Sequence, residues 1–171
     1  MSDEGPSVAI VTVSSSIAAG AGEDATGARI AELVRELRFP LLAHEVVGDD
    51  RAEIEACLRR LIDAGAGVII TAGGTGLSGT DVTPEATRAV IEREVPGLAE
   101  ALRCEARQHT PMGALSRGLC GVAGASLIVN LPGSPRAVGP AFTVLAPVLG
   151  HAVATLRASG SSRHLHREQA P

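Results

Sequence analysis

One stretch, residues 68–86, limits what this chain can fold into more than any other. It begins with Val-Ile-Ile-Thr, a β-branched run that is typical of a fully buried strand. Residues 73–76 read Gly-Gly-Thr-Gly, and such a backbone can turn tightly against a ligand because most of it carries no Cβ. Thr83 and Pro84 then predict a helix start, with Thr83 as the N-cap. Since loop amides and a helix N-terminus both favour negative charge, this order predicts a phosphate site.

The same stretch carries a family resemblance. Thr71 and the Gly-Gly-Thr-Gly of 73–76 are followed by Asp-Val-Thr-Pro-Glu-Ala at 81–86. At this spacing the two motifs resemble the signature of the molybdopterin adenylyltransferases, the Mog/MoaB group of molybdenum cofactor biosynthesis. The Pro-Gly-Ser-Pro turn at 132–135 is similar to a second family motif, which implies that it forms the other lip of the pocket.

Composition narrows the class of protein. The 171 residues suit one domain with one substantial core, and an aromatic content of 1% requires that core to be aliphatic. The net charge of −4 gives no reason to expect nucleic acid or an anionic membrane as partner. All 15 basic residues are arginine, so phosphate binding falls to arginine and backbone amides. Cys57, Cys104 and Cys120 form no CxxC pair, which favours reduced thiols and a cytoplasmic protein.

The hydrophobic pattern predicts alternating strands and helices. Strands are expected at 8–13, 41–47, 68–71, 118–123 and 126–131, with helices at 25–38, after 50, at 84–93, at 98–107 and up to about 156. This order favours a three-layer α/β/α domain over residues 7–158, with a mostly parallel sheet made mixed by a hairpin at Gly124 and Ala125. Residues 1–6 and 159–171 are polar and are expected to be flexible tails, and no apolar run predicts a membrane span.

The resemblance implies a set of site residues. Phosphate or pterin would be held by Gly73, Gly74, Thr75 and Gly76. Asp81 and Asp49 would be the catalytic residues and would hold magnesium or orient the nucleotide. The pterin pocket would be lined by Thr71, Ser116, Gly133 and Ser134.

Several positions keep two interpretations. Asp49, beside Asp50, is either a site carboxylate or a helix cap, and one aspartate can be both. The serines at 14–16 either touch a substrate or form a turn, and Arg117 either binds a phosphate or a neighbouring subunit, or is solvated. The chain also departs from the family at 15–16 and 79–80, where relatives carry Ser-Asp-Arg and Pro-Arg sequences.

The implied reaction is the magnesium-dependent transfer of AMP from ATP to molybdopterin, which activates the pterin for molybdate insertion by a downstream enzyme. The resemblance also implies the molybdopterin-binding fold and a homotrimer. A non-catalytic pterin-binding scaffold is the alternative. A pyrophosphatase or a molybdate-inserting enzyme of the same fold would carry a different glycine loop. A dinucleotide-binding domain is excluded because no GxGxxG motif is present.

Overall fold

The structure is a computed structural model that describes residues 5–167. The strands are β1 (Val8–Val13), β2 (Leu41–Val47), β3 (Val68–Ala72), β4 (Arg93–Glu94), β5 (Cys120–Ala123) and β6 (Ser126–Leu131). The helices are α1 (Ser15–Ala18), α2 (Ala25–Glu36), α3 (Arg51–Asp63), α4 (Thr83–Arg88), α5 (Pro96–His109) and α6 (Pro135–Arg167), with a 3-10 turn at Pro111–Leu115.

The six strands form one sheet in the order β2-β1-β3-β6-β5-β4. Neighbours from β2 to β6 run parallel, whereas β5 is antiparallel to both β6 and β4. The predicted mixed sheet is therefore confirmed, and β5 and β6 form the predicted hairpin. Because β1, β3 and β6 are parallel, their carboxyl ends meet at one edge, where ligands of open α/β sheets bind.

Each face of the sheet has its own core, so the fold has three layers. Alternate residues of β1 point to opposite faces: Ile10 packs with α2 and α6, and Val11 packs with α3. All side chains of β1 and β3 are buried, as the continuous apolar runs predict. The first core contains Ile30, Val34, Phe142, Leu145 and Leu149, and the second contains Ile54, Cys57, Leu58, Leu61 and Ala86.

Two predicted helix ends and one predicted cap were wrong, and the bounds of the other predicted elements differ from the structure by two residues or fewer. The helix that begins after the glycine loop ends at Arg88 rather than near 93, because residues 93–94 form β4 and pair with β5. Thr83 is not its N-cap: Val82 holds that position, and Thr83 lies inside the first turn. The last helix continues to Arg167 and includes much of the predicted tail. Residues 1–4 and 168–171 of the predicted tails lie outside the described residues.

Helix α6 also differs from the expectation of no span-length apolar segment. Residues 135–159 are long and apolar enough to cross a membrane by length and composition alone. This is weak evidence, since the core helix of a soluble protein has the same properties. In this fold Val138, Leu145, Leu149 and Val153 of the helix are buried in the core. The core thus accounts for the apolar residues on the buried face of the helix, which is a third of this segment.

Candidate active site

A cavity of about 1080 Å³ opens at the carboxyl edge of the sheet. Its floor is formed by the ends of β1, β3 and β6, and one wall by α5 and the 3-10 turn. The glycine loop at 73–76 and the Pro-Gly-Ser turn at 132–134 line it, which confirms that the two motifs share one pocket. Exposed apolar side chains at its rim are Leu77, Met112 and Leu115. The cavity is large enough for a drug-sized ligand or larger.

The four carbonyl groups of the glycine loop all accept hydrogen bonds from Thr83 or Arg117. Thr83 binds the first two: its hydroxyl donates to the carbonyl of Gly73 at 2.9 Å, and its amide donates to that of Gly74 at 3.1 Å. Arg117 binds the other two, through its amide to Thr75 at 2.9 Å and its Nε to Gly76 at 2.7 Å. These contacts fix the orientation of four consecutive peptide groups.

The amide of Gly73 donates to the carbonyl of Leu131 at 3.0 Å, whereas the next three amides of the loop have no protein acceptor in the described part of the chain. Within residues 5–167, the N–H groups of Gly74, Thr75 and Gly76 donate to no protein atom. All three residues line the cavity. Consecutive backbone N–H groups that face one concavity form an anion-binding site, which is the arrangement predicted from the glycine motif. A bound phosphate would satisfy donors that the fold leaves without partners.

Two of the loop glycines are required by the backbone. Gly73 has φ +112°, and a Cβ there would lie 2.3 Å from the carbonyl oxygen of Val13. Gly74 has φ +62°, and its Cβ would lie 2.3 Å from the Thr83 hydroxyl. Any side chain at either position would displace β1 or break the Thr83 contact. The glycines thus bring the loop against the end of β1 and allow the Thr83 contact.

The structure gives Arg117 a role inside the protein, and its predicted contacts with a phosphate or a neighbouring subunit stay predictions. Its guanidinium donates to the carbonyls of Gly76 and Asp81 and forms an ion pair with Glu85. Burial acts to raise the pKa of Glu85, but the hydrogen bond and charge of Arg117 outweigh it and hold that pKa below its ordinary value. The charge of Arg117 is therefore used within the protein to hold the loop, and Thr83 acts with it. Sequence analysis missed this function.

Asp81 lies at the cavity, as predicted. Its Oδ2 accepts a hydrogen bond from the Ser78 amide at 2.8 Å and lies 3.0 Å from the position of a Cβ on Gly76. The carboxylate therefore lies next to Gly76, the last residue of the glycine loop. Its Oδ1 accepts no hydrogen bond from residues 5–167, so one oxygen is available to a cation.

Asp49 lies away from the cavity lining. Its Oδ2 accepts the Ser15 amide at 2.8 Å, and its own amide donates to the Ser15 hydroxyl at 2.8 Å. The cap of α3 is Asp50, whose carboxylate accepts the Glu53 amide. Ser14 lines the cavity and caps α1. Asp49 therefore anchors α1 next to the cavity, and its predicted catalytic and metal roles stay predictions.

The donors fit a weakly held magnesium ion. Within the described part of the chain, no group of three His, Cys, Asp or Glu side chains could hold a metal. Magnesium does not require one, because it keeps several waters and takes one or two carboxylates together with substrate phosphates. Asp81, beside the anion-binding amides, offers one such carboxylate. The site can thus receive magnesium together with a phosphate.

The remaining predicted residues divide into lining and support. Ser116, Gly133 and Ser134 line the cavity, as expected. Thr71 does not line it: the residue is fully buried, and its hydroxyl accepts a hydrogen bond from the Asn130 amide at 2.9 Å. Asn130 lines the cavity from β6, and its polar atoms are used by protein partners. Thr71 therefore supports the cavity floor instead of touching a ligand.

Comparison with known proteins agrees with this geometry. Residues 9–151 match the family described as "Probable molybdopterin binding domain". A molybdopterin adenylyltransferase of Helicobacter pylori strain J99 is 34% identical over 149 residues, which cover 85% of this chain and 85% of the relative. The molybdenum cofactor synthesis protein cinnamon of Drosophila melanogaster is 40% identical over 146 residues, but the match covers 84% of this chain and only 24% of that protein.

Solved structures share the fold. The molybdopterin biosynthesis enzyme MoaB from Thermus thermophilus superposes with a TM-score of 0.83 at 44% identity, over 88% of this chain and 96% of that one. The molybdopterin biosynthesis Mog protein from Mycobacterium ulcerans gives a TM-score of 0.84 at 43% identity, over 88% and 99% of the two chains. The six-stranded mixed sheet with helices on both faces is the arrangement shared with these proteins.

Proposed function

Because the chain belongs to the molybdopterin-binding domain family, we propose that it transfers the AMP group of ATP to the terminal phosphate of molybdopterin. The observation that carries this proposal is the glycine loop, where three free amides line a cavity beside Asp81. The loop presents hydrogen-bond donors to an anion, and the cavity gives room for a second ligand next to it. Two phosphorylated substrates are what adenylyl transfer requires.

The reaction is a substitution at phosphorus. An oxygen of the pterin phosphate forms a bond to the α-phosphorus of ATP, the bond from that phosphorus to the β-phosphate oxygen breaks, and pyrophosphate leaves with the electron pair. Little acid or base chemistry is needed, so the protein contributes positioning and charge stabilisation. The amides of Gly74, Thr75 and Gly76 would bind the negative charge of a substrate phosphate without reorganisation, since their carbonyls are already fixed.

Asp81 would hold magnesium in this proposal, with Asp49 as the second predicted ligand. When bound with ATP, magnesium neutralises phosphate charge and favours departure of pyrophosphate. The position of Asp81 supports its role, since its carboxylate lies against Gly76 at the end of the free amides. Asp49 would have to give up its contacts with Ser15 or reach the metal through water.

The test is pyrophosphate release from ATP in the presence and absence of molybdopterin. Wild type should release pyrophosphate only with the pterin, and Asp81→Asn should lower the rate about a hundredfold. The matched control is Asp63→Asn, the same change at the exposed last residue of α3, which should leave the rate unaltered. The proposal fails if wild type releases no more pyrophosphate than Asp81→Asn.

The same assay separates the competing functions. A pterin-binding scaffold would bind molybdopterin but release no pyrophosphate. A nucleotide pyrophosphatase would release AMP from a dinucleotide without any pterin. The homotrimer, the cytoplasmic location, the absence of nucleic acid and membrane partners, and the downstream molybdenum-inserting enzyme stay predictions from the family resemblance. Light scattering of the purified protein tests the first of them.

A further inference from the structure

A polar cluster reaches the cavity near the end of β1. Thr12, near the end of β1, lines the cavity and is 3% exposed. Its hydroxyl lies 2.6 Å from Oδ2 of Asp24, which also lies 2.7 Å from Nε2 of His44 on β2. The other oxygen of Asp24 accepts the Gly27 amide at 2.8 Å and caps α2. The four groups are packed so tightly that a Cβ on Gly27 would overlap three of them.

The cluster fixes the direction of the Thr12 hydroxyl. Burial acts to raise the pKa of Asp24, but hydrogen bonds from Thr12, Gly27 and His44 outweigh it, so the pKa lies below its ordinary value. An ionised carboxylate can only accept, so the single proton of Thr12 must be donated to it. What the hydroxyl retains for the cavity is lone pairs. Thr12 is thus a hydrogen-bond acceptor toward anything bound there.

We infer that Thr12 accepts a hydrogen bond from an amino group of the heterocycle bound in this cavity, and that Asp24 is the positioning residue that sets this polarity. The inference rests on the proposed function, which supplies two such heterocycles: the pterin and the adenine each carry an exocyclic amino group. An analogue with an oxygen at that position would lose the bond and place two acceptors face to face. Thr12 would therefore select amino over oxo compounds.

Two pairs of small probes test the inference and identify the source. The dissociation constants of AMP and IMP, and of pterin and lumazine, are measured by calorimetry. Each pair differs in an exocyclic amino or oxygen group. Wild type should prefer the amino member of one pair by about tenfold or more. The pair that shows the preference identifies the ring that contacts Thr12.

The variants separate polarity from structure. Thr12→Ser should keep the preference, and Thr12→Val should abolish it. Asp24→Asn should reverse it: the Gly27 amide still requires an oxygen at the cap, so the side-chain nitrogen introduced by this substitution would face Thr12 and donate to it. The Thr12 proton would then point into the cavity. If Asp24 has only a structural role, Asp24→Asn should lower the affinity for both members of a pair equally and leave the ratio of their dissociation constants unchanged.

Some outcomes overturn the inference. It fails if wild type binds both members of both pairs equally, if it binds none of the four probes, or if Thr12→Val leaves the ratio unaltered. The pyrophosphate assay keeps this result separate from the proposed function. An amino preference without adenylyl transfer would support the role of Thr12 and overturn the proposed reaction. Adenylyl transfer without an amino preference would support the proposed reaction and overturn the role of Thr12.

Discussion

Replacing Arg117 with lysine tests whether the hydrogen bonds of its side chain keep the glycine loop ordered. The substitution keeps the positive charge but removes the planar fork that reaches Gly76, Asp81 and Glu85 together. Hydrogen bonds from charged donors contribute about 1.5 to 3 kcal/mol each. Two carbonyl contacts are lost, and the side chain is 35% exposed, so solvent screening about halves their sum. We expect the free energy of unfolding to fall by about 1.5 to 3 kcal/mol.

Thermal and urea unfolding measure the effect. A loss of this size lowers Tm by about 3 to 12 °C in a chain of this length. The matched control is Arg88→Lys, which changes an exposed ion pair with Glu94 and should cost about 0.5 kcal/mol or less. A loss for Arg117→Lys no larger than that of the control, with unaltered pyrophosphate release, would refute the argument that Arg117 orders the loop.

The pH dependence adds a second check on Arg117. The pKa of Glu85 is lowered in the folded protein, so its ion pair stabilises the fold above the ordinary carboxyl pKa of 4.5 and ceases to do so as pH falls through the folded value. The difference between wild type and Arg117→Lys should therefore be smaller at about pH 3 than at about pH 7. A difference that stays constant would mean that the carbonyl contacts alone account for it.

Two further predictions follow from burial and backbone conformation. Gly74→Ala should destabilise the protein by about 1 to 3 kcal/mol and abolish phosphate binding. The control Gly79→Ala should do neither, because a Cβ there meets nothing within 4 Å. Urea unfolding measures the stability of both variants, and calorimetry with ATP measures their phosphate binding. A thiol reagent at about pH 8 should label exposed Cys104 alone in the native protein, because burial raises the pKa of Cys57 to about 11 and of Cys120 to about 12. Mass spectrometry of the labelled peptides measures the rate at each cysteine. Labelling of Cys57 or Cys120 as fast as that of Cys104 would contradict the prediction.

The fold was accessible from the sequence because its parallel strands are buried on both faces. Continuous apolar runs such as 8–13 and 68–72 are typical of central strands that are buried on both faces. The amphipathic helices between them must then pack on the faces of the sheet, which predicts the three layers. Strand β4 was missed because two exposed residues carry no periodic signal. Their pairing with β5 is decided by tertiary contact, and that contact also shortened α4.

The candidate site was accessible only in part. Closely spaced glycines indicate a backbone that must approach another group closely. Residues 73–76 and 133 accordingly line the cavity, as their glycines predicted. Local sequence does not predict which distant residues a polar side chain will hydrogen bond. Thr71 and Asn130 are 59 positions apart and hydrogen bond across β3 and β6, and Arg117 reaches a loop 41 positions earlier. Such roles depend on which strands are neighbours.

The distribution of charge around the cavity explains why the site depends on amides. The chain has no lysine, and Arg117 directs its charge to Gly76, Asp81 and Glu85. Two arginines line the cavity itself, Arg103 and Arg136. Arg103 donates to the carbonyl of Gly118. Arg103 and Arg117 are thus committed to backbone carbonyls, and in the described part of the chain the guanidinium of Arg136 is left for a ligand. At the glycine loop, a substrate phosphate meets oriented dipoles. Dipoles fixed by the fold need not reorganise when charge develops during transfer, which is the condition for stabilising a transition state more than the bound substrate.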